Sequence, residues 1–238
     1  MDKFHRKVLT ILRKRVEENS NEIRRENSHE GHHDFVYSLG RKEERRLVVD
    51  FLKAHPEISL PEFIALLDSL YQGQSVNEKE LAGLLLEKKA AYRRKIAPPK
   101  LDQWLDHLVG WLEVDSLCQS NFGAKEMLAN WPAWEKLIRQ LNQSANINKR
   151  RASLVLLVKP NRQLKEEKLA GLALAMVDNL KNEKDRLITK AISWLLREMA
   201  KNQRGLVEAY LKENRRELPP LVIREVSRKL KALSSSDV

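Results

Sequence analysis

At 238 residues the chain is long enough for one domain of ordinary size or a short array of repeats, and too short to hold two independent domains comfortably. Lys and Arg number 44 against 33 Asp and Glu, a net charge of +11 that points to a polyanionic partner, nucleic acid first, while 42% apolar against 32% charged residues argues against wholesale disorder. Eight Gly and only two threonines, Thr10 and Thr189, exclude an all-β fold, and the single Cys118 excludes an intramolecular disulfide framework and a multi-cysteine zinc site.

Phe4, Val8, Ile11, Leu12 and Val16 follow a helical period and predict an amphipathic basic helix over residues 3–18. From Asn19 to Asp34 the pattern dissolves into charge and histidine, which reads as a loop or a frayed helix. His29, His32 and His33 lie there with no acidic or Cys partner to complete a ligand set, so a solvated loop is favoured over a metal site and no metal or cofactor is expected. After Gly40 the helical period returns and persists. It is broken by turn or cap signals near His55-Pro56, Leu60-Pro61, Tyr71-Gln72-Gly73, Ala97-Pro98-Pro99, Asn130-Trp131-Pro132, Lys159-Pro160-Asn161 and Pro219-Pro220. Helix starts near Pro61, Pro99, Pro132, Lys165 and Gln203 recur at steps of about 30 to 40 residues, the pitch of two-helix repeats. The prediction is an all-α, HEAT-like helical-repeat solenoid. Residues 1–34 supply a basic helix and polar loop, and residues 35–238 supply the array, the two forming one domain. The longest apolar run, Leu169 to Val177, is far below the ~18 to 20 residues of a membrane span, so a soluble, cytoplasmic protein is expected.

Three constellations stand out. Lys190, Trp194, Arg197 and Lys201, spaced four, three and four apart, place three cations and an indole on one helix face, with Leu187, Ile188, Ala191, Ile192, Leu195, Leu196 and Met199 around the other side. A solvated basic face is the bland reading, and a tryptophan set among cations argues for more. In the group Trp104, His107, Leu108, Trp111 and Asp115, Trp111 and Asp115 lie one helical turn apart on one face, although Asp115 followed by Ser116 also fits a cap for a following helix. Lys149-Arg150-Arg151 opens the apolar run Leu154 to Val158, with Lys159 beyond it, and suggests a helix presenting cations at one edge to phosphates.

Together these segments resemble the bacterial DNA alkylation repair glycosylases built from HEAT-like repeats. The block Thr189-Lys190-Ala191-Ile192-Ser193-Trp194-Leu195-Leu196-Arg197-Glu198-Met199-Ala200-Lys201 is similar to that family's Lys-Ala-Ile-x-Trp-x-Leu-Arg-Glu-x-Ala-Lys signature. Trp111-Leu112-Glu113-Val114-Asp115 resembles its Trp-x-x-Val-Asp, and Arg151-Ala152-Ser153 resembles its Arg-Ala-Ala. Phe35-Val36-Tyr37-Ser38-Leu39-Gly40 with Arg45-Arg46 is similar to its N-terminal segment. The likeness runs from about residue 35 to residue 230. It departs at Glu43 or Glu44, where relatives often carry Pro, and at Lys184-Asp185-Arg186.

The resemblance implies that Trp111, Asp115 and Trp194 are catalytic, that Arg151 contacts the DNA backbone with Lys159, Lys190 and Arg197 as supporting cations, and that Tyr37 approaches the DNA. It further implies hydrolysis of the N-glycosidic bond of positively charged N3- or N7-alkylated purines, in duplex DNA held on a basic concave face without base flipping, by a monomer. The runner-up is a non-catalytic DNA-structure binder with the same repeats, and a third reading is a protein-binding scaffold whose basic face meets an acidic partner.

Overall fold

The computed structural model describes residues 1–18, 36–119 and 121–234, together with the backbone of three two-residue strands between the first two segments. The chain divides into two compact units, Met1–Leu117 and Cys118–Val238.

The first unit begins with α1 (Lys3–Glu18), whose Phe4, Val8, Leu12 and Val16 are buried against α2 (Arg41–Ala54) and α3 (Leu60–Tyr71). Between α1 and α2 the described backbone pairs antiparallel, β1 (Ile23–Arg24) with β4 (Val36–Tyr37) and β2 (Asn27–Ser28) with β3 (Gly31–His32). Short ladders thus stand where a loop or frayed helix was expected; His29, His33 and the side chain of His32 lie outside the described residues. Both α3 and α4 (Val76–Lys88) open on capping boxes, Ser59 with Glu62 and Ser75 with Glu78, so two otherwise orphaned backbone donors are satisfied at each start. The short α5 (Ala90–Arg93) follows, then α6 (Pro99–Leu105), which starts on a proline that the first helical position tolerates. Trp104 of α6 is buried against Tyr71, ring centroids 5.0 Å apart, and its Nε1 donates to Asp68 at 2.6 Å. The unit closes within α7 (Gly110–Cys118), whose last residue, the fully buried Cys118, is the first of the second unit.

The second unit contains α8 (Ala124–Ala129), α9 (Trp131–Asn142), α10 (Ile147–Gln163), α11 (Glu167–Leu180), α12 (Arg186–Met199), α13 (Arg204–Glu213) and α14 (Pro220–Ser234). Its centre is α10, buried from Arg151 through Val158 and packed on α8, α9, α11 and α12. The expected break at Lys159-Pro160-Asn161 is not there: Pro160 lies inside α10. Proline removes one helical donor, the one that would reach the Leu156 carbonyl, and the loss is confined to the helix end, since only three residues of helix follow Pro160. The recurrent starts expected near Pro61, Pro99, Pro132, Lys165 and Gln203 fall at α3, α6, α9, α11 and α13. The described residues form an all-α helical-repeat fold, and no helix among them is long and apolar enough to cross a membrane.

Candidate functional site

The predicted residues divide between the units: Tyr37, Trp111 and Asp115 fall in the first, Arg151, Lys159, Lys190, Trp194 and Arg197 in the second.

Entry into α7 needs Gly110, whose φ of 74° lies in the left-handed region that side chains disfavour. The helix is then tied to α4 through two of its residues, Glu113 and Ser116, one turn or less apart. The Glu113 carboxylate, 1% exposed, accepts from Val109 N at 2.7 Å and takes both oxygens to Lys79 Nζ at 3.0 Å. Ser116 Oγ donates to the Glu113 carbonyl at 2.7 Å. Gly83 of α4 meets the Ser116 backbone so closely that a Cβ there would sit 2.3 Å from the Ser116 oxygen. With Val114, Leu117 and Cys118 turned inward, Trp111 is left 46% exposed and Asp115 half-buried, one turn apart on one face. Two other tryptophans, Trp104 and Trp134, are buried, at 2% and 3%, so the exposure of Trp111 is not a general habit of this chain. Asp115 and Ser116 both lie within α7, and Asp115 caps no following helix.

Tyr37 is half-buried; its amide donates to Asn77 Oδ1 at 2.7 Å, and its phenol accepts a hydrogen bond from Arg13. Asn77 in turn donates to Glu44 at 2.9 Å, and Arg41 bridges Glu44 and Glu80 at 3.0 Å to each. Burial and the neighbouring Glu44 push the Glu80 carboxyl up to about 7 against the pull of Arg41. Glu44 is therefore a buried acceptor in this network, 1% exposed. A cavity of about 520 Å³ in this unit is lined by Tyr37, Arg13, His5, Ser69 and Glu78 among others, but by neither Trp111 nor Asp115.

In the second unit the spacing on α12 sorts the face as predicted. Asp185 caps the helix, accepting from Leu187 N at 2.7 Å. Leu187, Ile188, Ala191, Ile192, Leu195, Leu196 and Met199 are buried, Lys190, Trp194 and Arg197 are half-exposed and Lys201 is exposed. The two cations flanking Trp194 converge on Glu225 of α14: Lys190 Nζ lies 3.1 Å and Arg197 Nη2 3.7 Å from it, and Ser193 Oγ donates to it at 2.6 Å. Burial pushes the Glu225 carboxyl up, but the hydrogen bonds from Ser193 and Lys190 and the two positive charges outweigh it and hold the carboxyl below its usual range.

The start of α10 differs from the expected cationic edge. Arg151 is 5% exposed and donates its Nη1 to the Leu187 carbonyl at 2.7 Å, at the head of α12. Lys149 is buried, and Arg150 is spent on Glu183 at 2.7 and 3.1 Å. Of the four basic residues, Lys159 keeps a half-exposed position beyond the apolar run. Dense packing of α10 on four neighbours draws its first turn inward, and the sequence spacing carries no sign of that. Sequence reading also missed Lys79, Glu113 and Glu225. Glu113 is visible only as an unassigned position of the Trp-x-x-Val-Asp block, and Glu225 sits 35 residues from Lys190, with no local signal linking them.

The fold is that of an all-α helical-repeat protein. A family model described as DNA alkylation repair enzyme matches residues 12–230, and the chain belongs to that family. Among solved structures it is similar to a predicted DNA alkylation repair enzyme from Enterococcus faecalis, at 18% identity and a TM-score of 0.59, over 81% of this chain and 87% of that one. No curated protein matches it.

Proposed function

We propose that this protein is a monofunctional DNA glycosylase that hydrolyses the N-glycosidic bond of N3- and N7-alkylated purines in duplex DNA. The observation that carries the reading is α7: an exposed Trp111 one turn from the half-buried Asp115, on a helix fixed from behind by Glu113, Lys79 and Gly83. Membership of the family supplies alkylation repair as the setting. Trp194, half-exposed amid cations on α12, is proposed to take part in the catalysis, with Lys190, Arg197, Lys159 and Tyr37 as residues that bind DNA and the buried Arg151 acting by holding the head of α12.

The chemistry suits this set of groups. An alkylated purine already carries a positive charge, so the pair of electrons from the breaking C1′–N bond neutralises the ring and no general acid has to protonate the leaving group. What needs stabilising is the oxocarbenium-like sugar left behind. A carboxylate about 4 Å from it contributes roughly 4 kcal/mol at an effective dielectric of ~20, on the order of a thousandfold in rate. Indole faces add cation–π attraction to the same charge and exclude water. Water then bonds to C1′ and passes its proton toward the Asp115 carboxylate.

Base-flipping glycosylases enclose the target base in a pocket. Here the lesion is proposed to stay stacked, read through its sugar and backbone. Bulky N7 adducts are then excised as well as methyl ones; refusal of a bulky adduct beside excision of a methyl one would refute the stacked-lesion part. Release of free 7-methylguanine from methylated duplex tests the activity itself.

A further inference from the structure

One charge arrangement in the second unit contains a carboxylate, Glu225, that the proposed chemistry does not use. Lys190 and Arg197 are seven residues apart on α12, about 10 Å along its axis, yet both side chains turn toward one carboxylate. That carboxylate, Glu225, belongs to α14, is 13% exposed and is anchored from beneath by the fully buried Ser193. The cations stand outward of it, 43% and 34% exposed. A single negative charge shared over two oxygens, held between an ammonium and a guanidinium, is also the chemistry of a phosphodiester.

We infer that Glu225 is a resident counter-charge for a DNA phosphate on α12, which holds Lys190 and Arg197 convergent while keeping their affinity for undamaged backbone low. The inference rests on the proposed reading of α12 as a DNA-facing helix. An incoming phosphate meets the outer sides of the two cations with the Glu225 charge directly behind them. Removing that charge strengthens attraction, provided the convergence survives. Glutamine meets the condition in part: its one carbonyl can take the Oε2 position, accepting from Ser193 and facing Arg197, while its amide replaces the Oε1 that accepts from Lys190.

The test is equilibrium binding of a short undamaged duplex across a salt series, well below the melting temperature of every protein compared. Glu225→Gln is expected to bind about threefold more tightly than wild type, the effect of one unit charge roughly 6 Å away in water, and to steepen the log–log salt slope by up to about 1. Glu225→Met, which removes the charge with a side chain of similar length, is expected to shift affinity in the same direction. In a Lys190→Gln/Arg197→Gln background the gain from Glu225→Gln is expected to vanish. Equal or weaker binding by both Glu225 variants overturns the inference, as does a gain that persists without the two cations. Failure of wild type to bind duplex at all overturns the DNA-facing reading instead, and the inference with it.

Discussion

Gly83 of α4 lies against the backbone carbonyl of Ser116 in α7, with room for a hydrogen and not for a methyl: a Cβ would stand 2.3 Å from the oxygen and 2.8 Å from its carbon. Because the obstacle is backbone, no side-chain rotation relieves it. Gly83→Ala is therefore expected to push α7 off α4, to cost about 1–3 kcal/mol as overpacking does, and to lower glycosylase turnover more than duplex affinity. Urea denaturation and single-turnover base release measure the two effects; unchanged stability would mean that α4 and α7 part without cost.

Lys79 and Glu113 form the second tie between these helices, at 12% and 1% side-chain exposure. Lys79→Ala removes the counter-charge from a buried carboxylate that also accepts from Val109 N, and is expected to destabilise by about 3 kcal/mol or more. Lys79→Met combined with Glu113→Leu removes both charges and is expected to recover part of that loss. A double variant no more stable than the single one would show that the pair contributes more than charge compensation.

Glu80 predicts an unusual pH dependence. Its carboxyl is raised from 4.5 to about 7 by burial and by Glu44, so between these values the folded chain holds a proton that the unfolded chain has released. Stability from this group is present below 4.5 and is lost as pH rises toward 7. The expected effect is at most about 3 kcal/mol, at ~1.4 kcal/mol per pH unit between the two values, and Glu80→Gln flattens that part of the profile. Glu78 has the opposite sign: burial opposes its ionisation, but hydrogen bonds from His5 and Ser75 win and hold it low, so its contribution is lost in acid. Melting curves of wild type and Glu80→Gln across this window separate the two.

The helical class, the repeated starts and the sorting of α12 were legible in the sequence because each depends on a period or a cap within one turn of its own residues. Lys190, Trp194 and Arg197 emerged on the outer side of α12 for that reason. Arg151 emerged buried because its environment is set by where α10 meets α12, 36 residues along the chain, and not by its neighbours. The same distance hid Glu225 and Lys79, whose partners lie on other helices. Pro160 misled in the other direction: proline signals a break, yet within the last turn of α10 the lost donor is tolerable.

The measurement that bears most directly on the account is release of 7-methylguanine from methylated duplex by wild type and by Asp115→Asn, compared at equal DNA occupancy. The account predicts release by wild type and a fall on the order of a hundredfold or more in the variant, the loss of a carboxylate that acts on the transition state. Equal release by both proteins would contradict it, and so would salt-sensitive duplex binding by wild type with no release at all.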